Sequence, residues 1–169
     1  MELVDLGPLS AAQQAELVGE EVDPWGTLGK ELEWGPKDAH IALLSDEGRV
    51  VAVAGWLIAE VEIAGQRLPV VGIGGVIVAA QLRGQGLGRC VITEAHGRAE
   101  RLGPEIALLF CQPDRVGLYQ RHGFVRVTEP VQVEQPTGTV DMPMETMWRA
   151  LGPEAALPGG PIKVPRLPF

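Results

Sequence analysis

The stretch Gln81-Leu82-Arg83-Gly84-Gln85-Gly86-Leu87-Gly88 constrains this chain more than any other. It follows a run of small and β-branched residues, Val70 to Ala80. It precedes a segment whose apolar residues (Leu87, Val91, Ile92, Ala95, Ala99, Leu102) recur at helical spacing. Strand, glycine-rich turn and helix in that order suit an anion. Glycine lets backbone N–H groups approach a phosphate closely. The first N–H groups of a helix lack intrahelical partners and lie at the positive end of its dipole. Arg83 adds a guanidinium that can fork onto phosphate oxygens. The spacing excludes Gly-x-x-x-x-Gly-Lys-Ser/Thr and the Gly-x-Gly-x-x-Gly of dinucleotide-binding folds, so a pyrophosphate site of another kind is expected.

Length and charge narrow the setting. One domain is expected in 169 residues, and 46% hydrophobic content suffices for a core. No membrane partner and a cytoplasmic location are expected, because no apolar run reaches spanning length and no secretory pattern opens the chain. The net charge of −8 argues against a nucleic-acid partner. Residues 1–38 hold nine acids and two bases, leaving the remainder near neutral. Such a segment beside a cleft would concentrate a cationic substrate. Cys90 and Cys111 read as buried thiols, and the three histidines show no ligand spacing, so no metal is expected.

The pattern is that of an α+β domain over residues 1–151 with a Pro/Gly-rich tail over 152–169. Ser10 caps a helix to Glu21, and a short helix is expected from Leu28 to Trp34. His40–Leu44, Arg49–Glu62 and Leu68–Ala80 should pair as an antiparallel meander. Gly72, Gly74 and Gly75 within the third strand mark either a bulge or a packing accommodation. A helix over Leu87–Leu102 leads to Ile106–Cys111, a strand buried on both faces and parallel to 68–80. A short helix over Pro113–His122, a strand over Phe124–Val127 and a last strand over Pro143–Leu151 complete the domain. The tail, with five prolines and three glycines, should be extended and variable in order.

In this order, Gln81-x-x-Gly84-x-Gly86 and Tyr119-x-x-x-Gly123-Phe124 resemble the two common marks of the GNAT N-acetyltransferase superfamily, over roughly residues 10–150. The resemblance implies a mixed, mostly antiparallel sheet with a splayed parallel strand pair and helices on both faces. It implies acetyl-CoA as co-substrate, transferred directly to a primary amine. Val76, Ile77 and Val78 would meet the pantetheine arm and thioester. Arg83, Gly84, Gln85, Gly86, Leu87 and Gly88 would surround the pyrophosphate. Tyr119 would be the general acid that protonates the leaving thiolate. A small cationic amine is the expected acceptor; homodimers are frequent in the family, and Arg49–Glu62 or the tail could supply an interface, but the sequence does not specify the assembly. The alternative is a coenzyme A-binding sensor or an impaired interaction module of the same fold.

Two departures stand out. Many members carry a glutamate on the glycine-bearing strand to deprotonate the amine, and Val71–Val76 contains no acid. Glu60, Glu62, His122, Asp23 or a water relay through backbone carbonyls are the substitutes. The layout also faintly resembles aminoglycoside 2′-N-acetyltransferases in its Trp25-bearing acidic segment and in Gln135–Pro143. The acid of that group just before Gly75 is Gly74 here. Cys111 would allow a ping-pong route, but no neighbouring cation is evident to activate it, so a structural thiol is the better reading.

Overall fold

The computed structural model describes the whole chain, Met1–Phe169. The backbone of the fold is a hairpin of two long strands, β3 (Val50–Ile63) and β4 (Gln66–Val78). Alternating apolar and β-branched residues favour extended backbone, and Ala64-Gly65 turns one strand into the other. The first half of β3 pairs antiparallel with β2 (Ala39–Leu44), which pairs with β1 (Glu2–Leu6). The expected meander is therefore present. β1 was not anticipated. It shows alternation over five residues only, and just two of them are partly buried.

α1 spans Ala11–Val18, capped by Ser10 in a capping box with Gln13. No helix forms over Leu28–Trp34. The Asp23 carboxylate takes the N–H groups of Thr27 and Leu28 and holds the chain in a turn ahead of the expected helix. Glu31 then adopts a positive φ of 52°, which no helix accommodates. Residues 19–38 instead run as an irregular segment.

α2 (Leu87–Ala99) follows the glycine-rich turn and buries Val91, Ile92, Ala95 and Ala99 against one face of the sheet. α1 packs Leu17 on the other face, with Val53 and Ile77. β5 (Ile106–Cys111) is wholly buried and lies parallel to β4, as its continuous apolar run predicts. A 3₁₀ turn at Pro113–Arg115 leads into α3 (Val116–Gln120). β6 (Val125–Arg126) and β9 (Glu145–Ala150) continue the sheet beyond β5.

The C-terminal third holds the larger surprises. β7 (Val131–Gln135) and β8 (Gly138–Asp141) form a hairpin across Pro136-Thr137. The alternation Val131, Val133, Gln135 is the signal that would have found it. The stretch from Gly152 was expected to vary in order, yet it adds β10 (Ile162–Val164) between β3 and β7. Ile162, Val164 and Phe169 are buried among Leu57, Val61 and Val133. Pro161 and Pro165 flank this three-residue strand, where their missing N–H groups cost the ladder nothing. The whole is one mixed, mostly antiparallel sheet in the order β6-β9-β5-β4-β3-β10-β7-β8, with β1 and β2 beside the first half of β3. Of the two elements named for an interface, β3 lies inside this sheet and the tail contributes the three residues of β10 to it. No helix is long and apolar enough to cross a membrane.

Candidate active site

The parallel pair β4 and β5 is in register only from Val71–Ala107 to Ile73–Leu109. Beyond Ile73 the strands part. On the other side of β4, Val53 faces Ile77 while Gly55 faces Gly74, so β4 carries one extra residue there. This is a bulge, and Gly75 supplies its positive φ of 61°. The extra residue leaves backbone groups outside the ladder, at the point where the strands separate.

A cleft of about 1020 Å³ opens at this split. Val76, Ile77 and Val78 line it from β4, and Arg83, Gly84, Gly86, Leu87 and Gly88 from the loop. Cys111 and Tyr119 line it from β5 and α3. The structure thus brings together every candidate site residue except Gln85, which is exposed and outside the cleft wall.

Gly86 is the N-cap of α2 with φ 81°, in the left-handed region that favours glycine. The first intrahelical bond runs from Cys90 N–H to the Gly86 carbonyl at 3.1 Å. The N–H groups of Leu87, Gly88 and Arg89 therefore have no partner within the helix. No acid stands in the first turn to neutralise its positive end.

The opposite wall comes from the irregular acidic segment, a source the sequence did not identify for the loop's partner. Glu21 accepts two hydrogen bonds from the Arg83 guanidinium, one of 2.9 Å from Nη1 and a shorter one from Nη2. Arg83 Nε donates to the Val78 carbonyl at 3.0 Å. The pair holds the Glu21 carboxyl below the usual carboxylate range. Further along, Gln112 Nε2 donates to the Gly26 carbonyl, tying the segment to the end of β5. Trp34, Phe110 and Phe169 form an aromatic ladder, with centroids 6.4 and 5.0 Å apart.

Tyr119 is 8% exposed, and burial pushes its phenol well above the ordinary value. The resting phenol is therefore protonated at neutral pH. Burial likewise pushes the Cys111 thiol up to about 11, with Glu145 and Asp114 adding to the effect. At neutral pH it is not a thiolate nucleophile.

The substitutes for a strand acid fare poorly. Glu60 faces Pro69 and Glu62 faces Arg67, near the far end of the hairpin and about 20 Å along the strand from the bulge. Glu60 pairs with Arg67 at 3.4 Å. His122 lies outside the cleft wall. Asp23 lines it, but its two oxygens are taken by the Thr27 and Leu28 N–H groups at 2.8 and 3.0 Å. Among His, Cys, Asp and Glu side chains, no group of three is arranged to hold a metal.

Comparison with known proteins bears on these features. The profile of the acetyltransferase (GNAT) domain family matches residues 19–127. No curated protein sequence matches the chain. Among solved structures, the GNAT family N-acetyltransferase YhbS from Escherichia coli, in complex with CoA, is similar over 97% of this chain and 89% of that one. The TM-score is 0.67 at 20% identity. Escherichia coli ElaA is similar over 88% of this chain and 98% of its own, with TM-score 0.58 and 24% identity. A GNAT superfamily phosphinothricin acetyltransferase from Sinorhizobium meliloti, in complex with AcCoA, is similar over 72% of this chain and 66% of that one. There the TM-score is 0.50 and the identity 19%. At these identities the likeness is one of fold.

Proposed function

The chain belongs to the GNAT acetyltransferase family, and from that premise we propose that it transfers an acetyl group from acetyl coenzyme A directly to a primary amine of a small acceptor. The observation that carries this reading is the split of β4 from β5 at a bulge, with α2 opening beside it and Tyr119 in the same cleft.

The residues divide the work by position. Backbone N–H groups of the loop and of the first turn of α2 take the pyrophosphate, with Gly84, Gly86 and Gly88 allowing the close approach. The guanidinium of Arg83 reaches the same phosphates once it releases Glu21. The backbone of Val76, Ile77 and Val78 meets the pantetheine arm. Bulge amides stabilise the oxyanion that forms when the amine attacks. A nitrogen–carbon bond then forms, the carbon–sulfur bond breaks, and the coenzyme leaves as a thiol with a proton from Tyr119. The amine's proton leaves to solvent through water, and Tyr119 is reprotonated from solvent. Cys111 shows what this environment does to a thiol. The same desolvation raises the proton affinity of the departing thiolate, which takes its proton from a phenol that burial also raises.

Direct transfer is favoured over a ping-pong route because the one thiol buried in the cleft is held protonated. A cationic acceptor is favoured by the field of the acidic segment rather than by contacts, since Glu21 and Asp23 are both engaged. Calorimetric titration with acetyl coenzyme A and with coenzyme A tests the cofactor half of the proposal. Binding of both supports it, and binding of neither refutes it.

A further inference from the structure

Trp25 is the largest of the apolar side chains left open to solvent: it is 41% exposed, and it lines the cleft. Exposed indole surface is unfavourable in water, so a chain that keeps it there must hold it. The hold is built from sequence upward. Asp23-Pro24-Trp25-Gly26 puts Asp, Pro and Gly at the places a type I turn favours, with Trp25 third. The turn is closed by Gly26 N–H on the Asp23 carbonyl at 3.2 Å. The Asp23 carboxylate then takes the Thr27 and Leu28 N–H groups at 2.8 and 3.0 Å. Gln112 Nε2 donates to the Gly26 carbonyl from the end of β5. The seat is tight, since a side chain at Gly26 would begin 3.3 Å from that same nitrogen. An open indole is thus presented by a turn fastened both to itself and to the sheet.

We propose that Trp25 is the platform for the body of the acceptor, and that this acceptor is an amine carried on an apolar, aromatic group with a single positive charge. The inference rests on the acetyl-transfer reading of the cleft and names its substrate class. Position supports it. Gln112 follows Cys111, where β5 has already parted from β4. Trp25 and Cys111 each lie one residue, about 3.8 Å of chain, from the bond between Gly26 and Gln112. A ring stacked on the indole is therefore close to a thioester held at the split. Trp34, Phe110 and Met144 add apolar surface to the same wall. Its acidic side chains offer no free carboxylate for a second ammonium. Glu21 is on Arg83, Asp23 is on backbone N–H groups, and Asp114 is 3.5 Å from Arg115 Nε. An indole face, by contrast, takes an aromatic ring by stacking and a lone ammonium by cation–π attraction. The acids of the segment draw the amine in, and the indole sorts it by its body.

Two measurements on the full chain test this. In the first, 2-phenylethylamine, ethylamine and spermidine are compared as acceptors at saturating acetyl coenzyme A. The kcat/KM for 2-phenylethylamine should exceed that for ethylamine about tenfold or more, as burial of a ring requires, and should exceed that for spermidine. Trp25→Ala should cut the preference for 2-phenylethylamine over ethylamine about three- to tenfold, the worth of one aromatic pair, through KM rather than kcat. Trp25→Phe should keep most of that preference. In the second, 2-phenylethylamine is titrated calorimetrically into protein saturated with coenzyme A, which reads the platform without turnover. It should bind, and Trp25→Ala should weaken it by the same factor. Spermidine as the better acceptor, or a Trp25→Ala protein that keeps the preference, overturns the assignment while acetyl transfer stands. So does a loss of coenzyme A affinity in step with that for the amine, which would place Trp25 at the cofactor. No binding of 2-phenylethylamine also overturns it. Binding that depends on Trp25, with no turnover on any amine, upholds the platform and refutes the transfer reading.

Discussion

Glu21 and Arg83, 62 residues apart in sequence, meet across the mouth of the cleft, with both carboxylate oxygens on the guanidinium. The anion that Arg83 holds in this structure is a side chain of the protein itself. A phosphate arriving at the loop must compete with it. Half-exposed pairs are weak, so the competition is mild. Glu21→Gln should tighten coenzyme A binding by about two- to fivefold, in proportion to such a pair. Arg83→Ala should weaken it. Calorimetry checks both, and equal affinity in all three proteins would show that Arg83 stays on Glu21 when the cofactor binds.

The N-cap of α2 separates charge from conformation. Gly86 has φ 81°, a region that asparagine tolerates better than most residues. Gly86→Asp should lose coenzyme A affinity by about tenfold or more, through a carboxylate placed against phosphate and backbone strain together. Gly86→Asn carries the strain without the charge and should lose markedly less. Matching losses would mean that the loop does not carry the pyrophosphate.

Tyr119→Phe removes one oxygen from a buried ring that still packs on Phe124, 6.0 Å away. Turnover should fall about 10²-fold, the lower end of general-acid contributions, with the cofactor dissociation constant nearly unchanged. Loss of binding and turnover together would make the residue structural.

The thiol of Cys111 gives a pH test. Its folded value, about 11, lies above the ordinary thiol value of 9.0. Between these limits the folded state holds a proton that the unfolded chain has released, so stability falls as pH rises from 9 towards 11. In a Cys90→Ser background, alkylation of Cys111 should accelerate with pH up to about 11. A midpoint near 9 would mean that the thiol is open to water.

Much of this architecture was legible because local chemistry and tertiary environment agree. The octet 81–88, the wholly apolar 106–111 and the Ser10 cap each specify the element they form. Elsewhere the two diverge. Leu28–Trp34 has helical composition, but Glu31 takes a positive φ of 52° that breaks it, and nothing in the residue spacing announces that turn. The proline-rich end hides Ile162, Val164 and Phe169, whose burial depends on partners about 100 residues earlier in β3 and β4. The absence of an acid on β4 was legible; its reason was not, because the room that Gly72 and Gly74 leave is filled by Phe169, from a distant part of the sequence. Gln85, by contrast, belongs to the motif by sequence and lies exposed outside the cleft wall.

The central claim is direct acetyl transfer from coenzyme A to an amine. The most direct measurement follows free thiol release from acetyl coenzyme A over a panel of polyamines, aminoglycosides and amino acids, with mass spectrometry of both enzyme and product. Direct transfer predicts thiol release only in the presence of an accepting amine, an acetylated amine in equal amount, and no acetylated enzyme. Acetyl coenzyme A bound without turnover on any amine, or an acetyl group found on Cys111, would contradict it.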